Sequence, residues 1–175
     1  MSTDHAVAAP TSRTDRAAVA RRRRLAPGTR RALLVVHIIA GVALLGASAS
    51  VVLLGVTGAS TDDPELAEAA FRFASTSGFV FGIPLSFTAL FSGLALALGG
   101  KWGLLRYPWV TIKLGLLVAT ILAGALVIGP SSDHLMHNPG DSAALLIAGA
   151  LFNVAALMVS TALSVYRPGK QRVRR

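Results

Sequence analysis

The sequence contains no cysteine. Disulfides, thiolate metal sites and cysteine nucleophiles are thereby excluded. Charge is also scarce: only 14% of the residues are Asp, Glu, Lys or Arg, while 53% are hydrophobic. A soluble domain carries about 25% charged residues, so an ordinary hydrated surface cannot be assembled from this composition. None of the eight carboxylates falls within a long apolar run. Paired acids for general acid–base chemistry and the acidic coupling sites of proton-driven transport are therefore missing from those runs. The chain has no Walker loop, no dinucleotide fingerprint and no metalloprotease HExxH. No enzyme activity and no cofactor are expected.

What is present is apolar sequence in four blocks, 32–56, 73–98, 107–128 and 142–166. About 20 apolar residues, rising 1.5 Å each, cross a hydrocarbon core of roughly 30 Å. The expected fold is an all-α membrane protein with four transmembrane helices in an up-down bundle. A cleaved signal peptide is the rival reading of the first block, with Ala47-Ser48-Ala49 as the cleavage pattern. Against it, the apolar run continues through residues 51–56.

Between the blocks the chain is polar. Residues 1–31 and 167–175 are expected to be basic tails, the first of them disordered. The connection 57–70 holds Asp62, Asp63, Glu65 and Glu68. Asp63-Pro64-Glu65 within it predicts a helix start leading into the second span. The connection 129–141 is rich in Pro, Gly, Ser and Asn, which predicts a loop. Inside the second block, Pro84 predicts a kink near residues 80–84. Gly78 and Gly82 match the small-x-x-x-small pattern of close helix contact. Gly41 and Gly149 fall on the small-residue faces of the first and fourth spans.

Fifteen of the seventeen Lys and Arg residues lie in the first tail, in residues 99–106 and in the last tail. Positive-inside bias then predicts both termini in the cytoplasm of a bacterial cell, in a multi-pass protein of the inner membrane. The net charge of +9 reads as orientation and attraction to anionic lipid, not as nucleic-acid binding. Another membrane protein or a second copy of the chain is the expected protein partner.

Polar residues inside the spans are the candidates for function. His37 shares a helical face with Gly41, Leu44, Ser48 and Gly55. An ionisable group within a span marks a functional site by default, while the bland alternative is a neutral imidazole bonded to a neighbouring helix. Lys113 shares a face with Trp109, Leu116, Thr120 and Gly124, and either serves such a site or snorkels toward the interface. The two lie at similar depth, so contact between the first and third helices near them is expected. Asn153, midway along the fourth span, is expected to join helices by hydrogen bonding. In the last loop His134 and His137, with Asp133 and Met136, form a candidate Cu or Zn site. Two imidazoles fall short of the three or four ligands of a tight site, so tight binding by the pair alone is not expected.

The stretches LLVVHIIAGVALLGAS and YPWVTIKLGLLVATILAG resemble the small bacterial integral membrane proteins grouped with copper resistance protein D. That resemblance implies a four-helix bundle and a link to copper handling. The expected function is an accessory or stress-related membrane subunit. The alternative is copper handling or small-solute transport through the bundle.

Overall fold

Prolines set where most of the helices begin. The computed structural model describes residues 25–99 and 107–166. Helix α1 runs Pro27–Ser60, α2 Pro64–Ser77, α3 Ile83–Gly99, α4 Pro108–Ala123, α5 Gly129–His137 and α6 Ala144–Tyr166. Pro27, Pro64 and Pro108 each sit in the first turn of their helix, where a missing N–H costs nothing, and Pro130 opens α5 directly after a π turn. Asp63 caps α2 by accepting a hydrogen bond from the Glu65 N–H at 3.0 Å, as its sequence position predicts.

Two of the joints are continuous. Residues Gly78–Gly82 connect α2 to α3 as a wide π turn, and Gly124–Ile128 connect α4 to α5 in the same way. The described residues thus form four rods of 23 to 36 residues, long and apolar enough to cross a membrane. No strand occurs among the described residues. The rods turn much of their apolar surface outward: Val42, Leu53, Phe79 and Leu126 are all exposed. In water this would be untenable, and in lipid it is the expected arrangement.

Consecutive rods are neighbours, and α6 closes back onto α1. The first and third rods therefore lie across the bundle's diagonal. The apolar core sits toward one end, the loop end, which carries the connections 61–63 and 138–143. There Phe71, Ala74, Ile128, Leu135 and Leu146 are buried together. Phe71 fits because Gly58 faces it: a Cβ on Gly58 would lie 2.7 Å from the ring.

Several expectations need correction. Residues 27–31 are helical, so the first rod starts inside the expected tail; residues 1–24 of that tail, the connection 100–106 and the tail 167–175 lie outside the described residues. The first connection narrows to 61–63. The expected loop 129–141 is helical as far as His137. Its composition misleads because Pro130 follows a π turn, in which Gly129 N–H reaches Gly124 O, and because Leu135 anchors α5 in the core. The irregularity expected ahead of Pro84 takes the form of the π turn, with Ile83 N–H bonded to Gly78 O. Gly41, Gly78 and Gly82 do not mediate close helix contact, since a Cβ on any of them would meet nothing within 4 Å. Gly149 does: its Cβ would come 3.0 Å from Val127 Cγ1.

Candidate functional site

His37 points from α1 to α3. Its Nδ1 lies 3.0 Å from both Ala89 O and Ser92 Oγ. Ser92 directs its own hydroxyl to Thr88 O at 2.6 Å, so its oxygen is left to accept. A proton on Nδ1 is then shared between two acceptors, which fixes the ring's orientation. Gly93 makes the approach possible, because a Cβ there would lie 2.9 Å from His37 Cε1. Neither Ser92 nor Gly93 stands out in the sequence. The available signal was a Ser-Gly pair in the second span at the depth of His37.

Lys113 turns the other way and donates to Ser164 Oγ on α6. His37 is thus bonded to the second rod and Lys113 to the fourth. The first and third rods lie across the bundle's diagonal, and each of the two residues finds its hydrogen-bond partner on an adjacent rod, with Lys113 still near enough to His37 to act on it electrostatically.

A cavity inside the bundle is the site. It measures about 530 Å³ and is bounded by all four rods, with Ser48, Gly78, Ser86, Gly124 and Asn153 among its walls. The two π turns flank it side by side. Their sequences, GFVFGIP at 78–84 and GALVIGP at 124–130, share the pattern Gly-x5-Pro. Each proline lacks the N–H of a regular helical turn, and the wide turn ahead of it accommodates the defect. The glycines that failed as packing contacts find their place here, where they leave open space.

Asn153 is the polar centre of the wall. It is only 6% exposed, and its Oδ1 has no hydrogen-bond partner. A buried acceptor left unpaired costs about 1–3 kcal/mol, so the atom calls for a partner the protein itself does not supply. The expected interhelical bond from Asn153 is not formed at Oδ1. Thr120 and Ser132, also at the cavity wall, satisfy their hydroxyls on Leu116 O and Ile128 O.

At the loop end Ser75 Oγ donates to Asp133 Oδ1 at 2.6 Å and ties the second rod to the third. His134 Nε2 pairs with Asp141 Oδ2 at 2.7 Å, and His137 Nδ1 donates to Asp133 O at 2.9 Å. The two imidazoles are therefore held by separate partners. Among the described residues, no three His, Asp or Glu side chains come together as a metal site would need.

Fold and site together define a helical bundle fit to span a membrane, with a polar-centred cavity in its interior. Comparisons of the chain with protein-family models, with curated proteins and with solved structures return no match.

Proposed function

We propose that this is a non-enzymatic, multi-pass protein of a bacterial inner membrane, with both termini cytoplasmic, that binds a small solute inside its helix bundle. The cavity with the unpaired Asn153 Oδ1 carries this reading. Its volume of about 530 Å³ falls within the roughly 300–1,000 Å³ of small-molecule sites. The orientation rests on the clustering of fifteen cations on one side. An accessory-subunit role draws on no particular contact among the described residues. Copper handling would draw on His134 and His137, each already engaged by its own partner.

The absence of native cysteine makes the test clean. Ser48→Cys and Ser86→Cys, both at the cavity wall, should react with N-ethylmaleimide in reconstituted protein. The lipid-facing control Leu126→Cys should react at least about tenfold more slowly, because the thiolate that reacts needs a polar surround. Equally slow reaction at all three positions would remove the accessible cavity.

A further inference from the structure

Resting on that reading, we propose that the occupant is a neutral, largely apolar molecule with one hydroxyl donor, which enters sideways from the bilayer and donates to Asn153 Oδ1. The chemistry of the walls defines the class. Leu44, Val51, Phe79, Ile83, Phe87 and Ile121 supply the large apolar side chains of the lining, between small serines such as Ser48 and Ser86, which suits a hydrocarbon body with a polar group. Among the described residues, Asp133 is the sole ionisable one on the wall, and it sits at the loop end bonded to Ser75. An anion would lose its hydration without gaining a counter-ion, and a cation at the depth of Asn153 would have only Asp133 at the loop end, already bonded to Ser75, a heavy cost in an apolar site. A carboxamide oxygen accepts and cannot donate, so the ligand must bring the proton.

The route follows from exposure. Phe79, Ile83 and Phe87, spaced four residues apart, line the cavity and are also exposed on the outside of the second rod. Ala125 does the same on the third rod. These residues lie within the stretches long and apolar enough to cross a membrane, so this side of the cavity faces lipid. The loop end is closed between the same rods by the Ser75–Asp133 bond and by packing of α2 on α5. Lateral entry is the route the walls leave.

Water is the competing occupant, since a hydrated cavity would also satisfy Asn153. The full-length protein in phosphatidylcholine nanodiscs separates the two. Para-octylphenol is the probe, and its methyl ether, which has no donor, is the comparison. The expected result is binding of the phenol about tenfold tighter than the ether, the ratio one hydrogen bond to a buried acceptor supports. Asn153→Leu should bind both probes alike, and the lipid-face control Ser50→Ala should behave as wild type. The comparison of probes on the wild-type protein holds even if Asn153→Leu fails to fold. Equal wild-type affinity for both probes would overturn the donor bond while leaving the cavity reading intact. Saturable binding of neither probe would leave water as the occupant and overturn the proposed ligand class, while the Ser48→Cys and Ser86→Cys reactivities decide the cavity reading separately. Ala125→Trp, which narrows the lateral opening, should slow phenol association; an unchanged rate would overturn the lateral route. Competition by dioleoylglycerol would point to a hydroxyl-bearing lipid, and its failure to a free small phenol or alcohol, both within the proposed chemistry.

Discussion

Gly93→Ala is the sharpest test of how the first two rods are held together. In an exposed helix, Gly→Ala stabilises by about 0.5–1 kcal/mol, because alanine has less backbone freedom to lose on folding. Here the new methyl would stand 2.9 Å from His37 Cε1, a contact that real side chains do not sustain. The ring cannot simply swing away, since its Nδ1 lies 3.0 Å from both Ala89 O and Ser92 Oγ. Moving it breaks that shared bond, at about 0.5–1.5 kcal/mol net, or more where a buried group is left unpaired. The expected balance is destabilisation of about 1 kcal/mol, the clash and lost bond outweighing the helix gain. In a His37→Ala background the obstacle is gone. Gly93→Ala should there stabilise by about 0.5–1 kcal/mol, so the sign of the effect inverts. The assay is a double-mutant cycle on protein in mild detergent, read as unfolding midpoint against denaturing detergent. An effect of the same sign and size in both backgrounds would refute the contact between His37 and Gly93.

Three further outcomes are expected. Gly58→Ala should destabilise by about 1–3 kcal/mol through overpacking against fully buried Phe71; an unchanged thermal midpoint would contradict the packing at the loop end. Reporter fusions at residue 15 and after residue 170 should report cytoplasm, and fusions at residues 62 and 139 the opposite side; a cytoplasmic signal at 139 would break the four-span topology. Titration with Cu(II) and Zn(II) should show only weak binding, unchanged in His134→Ala/His137→Ala; submicromolar affinity lost in the double variant would restore the histidine pair as a metal site.

The four spans were legible because length and apolarity are additive properties that need no knowledge of partners. Rotational register is different. A span in lipid is apolar on every side, so hydrophobic periodicity does not say which face meets the bundle. His37, Lys113 and Asn153 could be singled out as costly residues, yet their neighbours could not. The diagonal placement of α1 and α4 was not legible in the spans, and Gly93 appeared only once α3 was seen against His37. Gly78 and Gly82 were misread for the same reason: spacing identifies small residues, not what they face. Pro84 was read as an irregularity and Pro130 as a loop, although both end a Gly-x5-Pro stretch. The polar residues after Pro130 hid the helix, which depends on Leu135 reaching a core formed by distant segments.

The polar stitches also divide the molecule along its length. The His37 bond joins the first rod to the second, and the Lys113 bond joins the third to the fourth. One side-chain bond that crosses from one pair to the other, Ser75 to Asp133, lies at the loop end, away from the apolar middle. Each half is therefore a hairpin with its own internal polar fastening, complete before the other half exists. During biosynthesis the first hairpin can satisfy its half-buried histidine as soon as its second rod has inserted, with no wait for the rest of the chain. It also follows that a chain cut in the connection 100–106 yields two fragments, each retaining its own fastening. Co-expressed, these fragments should find one another through the α1–α6 and α2–α5 surfaces and complement as a split protein.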